Sequence, residues 1–504
     1  MKKQLHLSKS LYTRGLQCSK SLWLKKYKKD VLTPPDASIQ DIFATGDLVG
    51  GLACELFPNG REVPFEGTSF AEKIALTQQW MNEGVEHIFE ATFSYQDILV
   101  MVDILHKTPD GSWEIYEVKS STWSEKKKLK DIAKYIHDAS IQYYVLHGCG
   151  LNVSKTSITL LNSHYTYKDQ LDIKALFTHV DVSKEVLELQ DEIPSRLRIF
   201  QQCLSDTEHE PDVAIGAHCK KPYLCDAYDY CWKTQRNIPE YSVFNIFTKA
   251  KPFDLYKKGI IEIKDIPEDA LTSEKQRLVV DAYNNHATII DKPAIQHFLD
   301  GLSYPIYHLD FETFSTAVPQ FNHQRVYQQI CFQYSLHIEH ADGSLEHQEF
   351  LADEHDDPRI ALIKQLTAAI PDDATVLVYN ENFEKTRLKE MAKDFPQYKA
   401  KLMAIYDNIV DLAEPFQKRY YYDYRLKGKY SIKLVMPLLA PEMGDAYQQL
   451  NLIHNGGEAM NIFPKLASMD AQERLRYREA LLEYCKLDTL SMVKVLDGLK
   501  KSII

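Results

Sequence analysis

The sequence contains no run of eighteen apolar residues, which argues against a membrane-spanning helix. Its first thirty residues are basic but lack the continuous apolar stretch of a signal peptide, so a cytosolic protein is expected. No internal repeat or low-complexity tract is present. An apolar fraction of 44% with 26% charged residues makes disorder unexpected. Net positive charge is missing too: the formal charge is −12, which alone speaks against a nucleic-acid binder. None of the nine cysteines has a neighbour at the two-to-four-residue spacing of common zinc ribbons.

The 504 residues exceed one ordinary core, so two or three domains are expected. Basic charge is concentrated: residues 1–30 carry nine Lys or Arg against one Asp, and 124–134 (SEKKKLKDIAK) form a second basic patch. A solvated charged face has the same composition. In a reducing cytosol the cysteines are thiols or metal ligands rather than disulfides.

Alternation predicts strands at EHIFEATFSY, ILVMVDILHKT and WEIYEVKSST, the last two joined by a PDGS turn at 109–112. Helices are expected over 126–148 and 182–205. Residues 236–300, broken by Pro and Gly, read as a short helical connector. Strands at 304–314, 326–340 and 374–380, a helix from about Glu381 and a last helix over 471–500 follow. Strands alternating with helices in both halves predict an α/β class, with domains at 1–235 and 301–504.

Two groups of residues carry chemistry. In MVDIL and YEVKSS, Asp103 lies on one strand and Glu117 and Lys119 on the next. Residues i and i+2 of a strand share a face, so the three can meet. Two carboxylates make a hard-oxygen site for Mg²⁺ or Mn²⁺, and the lysine can orient a nucleophile or offset charge. A surface ladder of acid and base on a hairpin would show the same pattern. In YHLDFETF, Asp310 and Glu312 again share a strand face. VYNENFEKTRL places Glu384 in the first turn of a helix, and YCKLDTL offers Tyr484 and Asp488 at i and i+4. Four acids from a strand and two helices suit two-metal phosphodiester hydrolysis, with Tyr484 positioning water. Asp407 and Asp411 are nearby acids better read as solvent or cap residues.

The stretch AHCKKPYLCDAYDYCW holds Cys219, Cys225 and Cys231, each pair separated by five residues. Three thiolates fall one short of an iron–sulfur site, whose ligands can come from distant segments.

In order, SKSLYTRGLQCSKSLWL, GDLVGGLACELFP, MVDIL, YEVKSS, IQYYVL and the cysteine trio resemble the RecB-like branch of PD-(D/E)XK nucleases. The resemblance is to the branch with four-cysteine iron–sulfur clusters, which includes CRISPR-associated adaptation nucleases and the AddB recombination nuclease. It implies a restriction-endonuclease-like fold in which Asp103 and Glu117 ligate metal, Lys119 is catalytic and Gln142 is the helix motif residue. It also implies a 4Fe–4S cluster on Cys18, Cys219, Cys225 and Cys231, with zinc at the same cysteines as the rival. The family's histidine after the first Gly is absent from GDLVGGLACELF; Glu55 or Glu90 stands in, or the metal site is weakened.

Residues 304–500 resemble the DEDD exonuclease superfamily on its ribonuclease-H-like fold. Asp310 and Glu312 match its first motif, Asn380-x-x-Phe383-Glu384 the second, and Tyr484-x-x-x-Asp488 the third. The second motif normally ends in Asp, whereas here it is Glu384. YSIKLVMPLL resembles the Ser-Leu-Lys segment before the final helix of those enzymes, and LYKKGIIEIKDIP faintly resembles a helix–hairpin–helix. The whole order resembles a bacterial family of predicted two-nuclease proteins. It implies a metal-dependent nuclease on DNA, single strands or ends. The alternatives are one live DEDD-type site trimming DNA or RNA 3′ ends beside a binding-only first half, and a non-catalytic nucleic-acid-binding module. DNA repair or defence would be the setting, and the sequence does not choose between them.

Overall fold

The computed structural model describes residues 7–504 and is a mixed α/β protein. Among the described residues no helix is long and apolar enough to cross a membrane. The chain divides into two compact units. Unit 1 comprises residues up to Ile238 plus Ala317–Tyr327; unit 2 comprises Pro239–Thr316 and Gln328–Ile504.

Unit 1 is built on a seven-stranded sheet of β1 (Leu7–Ser8), β2 (Arg61–Glu62), β3 (His87–Tyr95), β4 (Ile98–Lys107), β5 (Trp113–Trp123), β6 (Val153–Asn162) and β7 (Phe177–Asp181). The order is β2-β3-β4-β5-β6-β7, with β1 alongside β4. β3, β4 and β5 form an antiparallel meander, and the β4–β5 turn carries Gly111 at φ +85, a conformation that costs glycine nothing. β6 returns parallel to β5, as it must after a helical crossover. That crossover is α5, after α1 (Lys9–Gln17), α2 (Ser19–Tyr27), α3 (Ala37–Cys54) and α4 (Phe70–Asn82); α5 itself spans Ala133–Gly148. The helix expected from 126 therefore begins seven residues later. Lys126, Lys127 and Lys128 stand in succession before it, and a 3-10 turn at Leu129–Ile132 leads in. The single helix expected over 182–205 is broken into Ser183–Glu188 and Ile193–Ser205, with Pro194 in the first turn of the second piece, where its missing N–H does no harm.

Unit 2 has a five-stranded sheet of order β11-β10-β9-β12-β13. A short β8 (Thr288–Ile290) precedes β9 (Ile306–Phe314), β10 (Ile330–Glu339), β11 (Leu345–Leu351), β12 (Thr375–Val378) and β13 (Ile409–Asp411); β14 (Tyr421–Asp423) pairs with β8. The first three large strands run antiparallel, whereas β12 and β13 are parallel to β9. Odd residues of β9 (Tyr307, Leu309, Phe311) enter a core with Leu362, Leu366 and Val376. Even residues face the C-terminal helix, Ala471–Ser502. The sheet holds that helix by polar contacts: Gln333 Nε2 donates to Leu481 O (2.8 Å), and Ser335 Oγ lies 2.7 Å from Thr489 Oγ1. Of residues 236–300, expected as a short helical connector, those from Pro239 onward belong to unit 2. Val243, Ile263, Val280 and Ile295 are buried in one core with Leu377, Phe416 and Leu496.

Candidate functional sites

In unit 1 the expected residues meet. The β4–β5 ladder is paired from Lys107–Trp113 up to Ile104–Tyr116. Beyond it, Val118 N–H donates instead to Asp103 Oδ2 at 2.7 Å, so a carboxylate replaces a backbone acceptor. Glu117 is wholly buried and saturated: Lys119 Nζ stands 2.6 Å from Oε1, and Gln142 Nε2 donates to Oε2 at 2.5 Å. The sequence reading missed Lys9, on α1. Its Nζ bonds both Glu117 oxygens (2.9 and 3.0 Å) and lies 3.8 Å from Asp103 Oδ1. It also missed Asp138, 3.3 Å from Lys119 Nζ. Burial would raise the Glu117 carboxyl, but Lys119 and Lys9 outweigh it and hold it at about 2. Asp103 is raised, by burial first and then by the Glu117 charge.

Of the two acids named in place of the missing histidine, Glu55 caps the end of α3 and is exposed. Glu90 lies between the β3–β4 pairs Phe89–Ile104 and Ala91–Val102, which keep one register, and has φ +54. A positive φ at a non-glycine residue is local strain of the kind that collects at functional sites. Burial and the Asp103 charge push Glu90 up to about 7, so it belongs to this electrostatic cluster.

The thiols of Cys18, Cys219, Cys225 and Cys231 line one small cavity with Ala227 and Tyr228, and none is in a disulfide. Cys18 is held there by its neighbours. Arg14 makes a two-pronged pair with Asp226 (2.8 Å each), Gln17 Nε2 donates to His218 O and Tyr223 O, and Trp23 Nε1 donates to Asp206 O at 2.7 Å. The basic N-terminal segment is thus a wall of unit 1. Burial raises the Cys18 thiol and pushes Cys231 up to about 11. The other cysteines were expected to be buried. Cys331 and Cys485 are, Cys54 and Cys203 are partly so, and Cys149 is exposed.

In unit 2, Asp310, Glu312, Glu384, Tyr484 and Asp488 converge as the spacing predicts. β9 and β12 are parallel neighbours whose chains depart to opposite sides of the sheet, the kind of crevice in which open α/β sheets hold ligands. Asp310 and Glu312 project from β9, and Glu384 follows β12 in the first turn of the helix Asn382–Asp394. Asp310, Glu312 and Cys485 each place one ligand atom within 4.8 Å of the others. Asp488 Oδ1 accepts from Tyr447 Oη at 2.5 Å; Lys433 Nζ lies 3.4 Å from Tyr484 Oη and donates to His454 O. Lys433, in the quoted YSIKLVMPLL, was not singled out as a site residue. Tyr447 and Cys485 carried no sequence signal for the site. Asp411 accepts the Asn380 and Ala413 N–H groups, a local capping role as expected.

Carboxyls dominate this site. Burial, then the charges of Asp488, Glu312 and Glu384, raise Asp310 well above its usual range. Burial and Asp488 push Glu312 up to about 8. Burial and then Asp411 do the same for Glu384, whose Oε2 is buried without a hydrogen-bond partner. Acids that repel one another in a buried crevice, one with an orphaned oxygen, fit a hard divalent cation. Cation uptake must expel their protons. Mn²⁺ affinity is therefore expected to rise with pH up to about 8, with proton release visible as buffer-dependent heats in calorimetry; buffer-independent heats would contradict this.

A family model described as a domain of unknown function (DUF2779) matches residues 307–431, which covers β9 and Glu384 but not the C-terminal helix. Among curated relatives, an uncharacterized protein of Ureaplasma parvum serovar 3 is 28% identical over 284 residues, 52% of this chain and 40% of that protein. An uncharacterized protein of Mycoplasma pneumoniae is 28% identical over 206 residues, 37% of this chain and 31% of its own length. Each match thus covers less than half of the relative.

Proposed function

We propose that the chain is a metal-dependent nuclease hydrolysing phosphodiester bonds of DNA, single strands or ends, with one site in each unit. The PD-(D/E)XK and DEDD resemblances are the source of this reading. The observation that carries it is the convergence of Asp310, Glu312, Glu384 and Asp488 in the β9–β12 crevice, each raised first by burial, with the charges of neighbouring acids adding at Asp310, Glu312 and Glu384. A protein retains such a cluster at a cost in stability unless it serves a cation.

Asp310, Glu312, Glu384 and Asp488 would hold Mg²⁺ or Mn²⁺ in unit 2, and Asp103 and Glu117 in unit 1. The ion supplies a Lewis acid that lowers the pKa of a water and offsets charge on the phosphate. The Tyr484 hydroxyl, beside Asp488, orients the attacking water. Tyr447 fixes the Asp488 carboxylate by its hydrogen bond. Lys433, whose charge bears on both Glu312 and Asp488, offsets negative charge gathering on the phosphate. In unit 1, Gln142 fixes the Glu117 rotamer while Lys119, held between Glu117 and Asp138, keeps its proton and faces the phosphate.

The thiol quartet is proposed to hold a 4Fe–4S cluster. Sulfurs around one tetrahedral zinc lie about 3.8 Å apart, given Zn–S bonds of about 2.3 Å. Among the described residues, the thiols are not one of the groups whose ligand atoms crowd within 4.8 Å, and a larger cluster suits that spacing.

Purified protein with Mn²⁺ is expected to degrade single-stranded DNA, with Asp103→Ala and Asp310→Ala each removing part of the activity. Full digestion by both variants would contradict two working sites. One observation favours a second reading, in which only unit 2 cuts and unit 1 binds nucleic acid: Glu117 is already neutralised by two lysines. Lys119→Ala with undiminished activity would select it, with RNA 3′ ends as the alternative substrate.

A further inference from the structure

Lys9 lies in the quoted SKSLYTRGLQCSKSLWL but was given no role there, yet it is closer to Glu117 than to any other acid of the site. Its ammonium bonds both oxygens of a wholly buried carboxylate and stands 3.8 Å from Asp103. A lysine is a compact, hydrated charge on a flexible stem, and placing it here costs desolvation that only the two carboxylates offset. Lys9 is thus the ion-pair partner of both acids at once. It stands at the point both carboxylates face, which a divalent ion bridging them would need. Lys119 does not compete in the same way, because it is shared between Glu117 and Asp138, the latter 3.3 Å away. The helix carrying Lys9 is not free to drift: α1 begins under the Ser8 cap and ends at Cys18, anchored by the Arg14–Asp226 pair. The stem of Lys9 can swing while its helix stays in place.

We propose that Lys9 is a built-in counter-ion of the unit 1 site, occupying the divalent-cation position between Asp103 and Glu117 and leaving it when the cation enters. This rests on the reading of those two acids as cation ligands. It makes the two sites unequal, since the unit 2 acids have no ammonium bonded to a carboxylate in this manner among the described contacts. The unit 2 site then fills at lower Mn²⁺ concentration, and unit 1 only when the ion outcompetes Lys9.

Binding of Mn²⁺ followed by electron paramagnetic resonance tests this in the full chain carrying Asp310→Asn, which removes a unit 2 ligand. Lys9→Met, of similar length but uncharged, is expected to tighten the remaining Mn²⁺ binding by about ten-fold or more, because no ammonium then competes with the ion for the two carboxylates. Adding Glu117→Gln should abolish the gain, and Lys9→Arg should behave as the parent. Unchanged or weaker binding in a folded Lys9→Met protein overturns the proposal. If Lys9→Met does not fold, lysines of the parent chain can be ¹³C-methylated and Lys9 assigned by its loss in Lys9→Arg. Its resonance should move to the position of exposed lysines on adding Mg²⁺, and a resonance that stays put overturns the proposal equally. The nuclease reading fails separately: protein that cuts no DNA but gains Mn²⁺ affinity in Lys9→Met keeps this inference and loses that one.

Discussion

Asp310→Asn is expected to abolish the cleavage contributed by unit 2, by a factor of about a thousand or more, while making the metal-free protein more stable. The two effects have one cause. Asp310 is raised well above the carboxylate range by burial and by three neighbouring acids, and Glu312 and Glu384 are pushed up to about 8. In the unfolded chain such groups lose their protons near pH 4. Between about pH 4 and pH 8 the folded protein therefore binds more protons than the unfolded one, and its stability falls as pH rises. Replacing Asp310 by a neutral isostere removes one of the repelling charges. The metal-free protein at pH 8 should gain stability on the order of 1–2 kcal/mol, seen as a higher melting midpoint. With Mn²⁺ present the order should reverse, since the parent gains binding energy that the variant cannot. A variant less stable than the parent in metal-free buffer at pH 8 would mean that Asp310 is a structural residue.

Trp23→Ala should be the most damaging single change in unit 1, costing about 3–5 kcal/mol. Trp23 is 5% exposed, packs with Leu24 and Ala227 beside Cys225 and Cys231, and donates its indole N–H to Asp206. Its removal leaves a void and an unpaired carbonyl in the wall that holds Cys18 beside the other three thiols. Anaerobically purified parent protein is expected to show the broad visible absorption of a 4Fe–4S cluster, and Cys225→Ser to lose it. Trp23→Ala should weaken the band and lower the melting midpoint together. A colourless parent protein loaded with zinc would replace the cluster with its rival at the same cysteines, and a Trp23→Ala protein as stable as the parent would remove the N-terminal wall from the account.

What was legible in the sequence followed from short periods. Alternation along β3, β4 and β5 placed Asp103, Glu117 and Lys119 within reach of one another. The i, i+2 spacing on β9 set Asp310 and Glu312 on the polar face, while Tyr307, Leu309 and Phe311 took the core. The i, i+4 spacing did the same for Tyr484 and Asp488. What was not legible depends on contacts with no local signature. Lys9 stands 108 residues from Glu117 and looked like one charge in a basic run. Asp138 precedes Gln142 by one turn of α5, a spacing that a search for motif residues passes over. The strained backbone at Glu90 (φ +54) has no sequence signature. Tyr447 lies 41 residues from Asp488, in a segment of short turns. The packing of the 236–300 connector was illegible for a related reason: between its Pro and Gly breaks, Val243, Ile263 and Val280 are too far apart to show a helical period, yet all three reach the unit 2 core.

Two metal-dependent sites, one in each unit, form the central claim, and the Asp103→Ala, Asp310→Ala double variant tests it most directly. End-labelled single-stranded DNA incubated with Mn²⁺ should be degraded by the parent protein and left intact by the folded double variant. Digestion by the double variant at the parental rate would contradict the account.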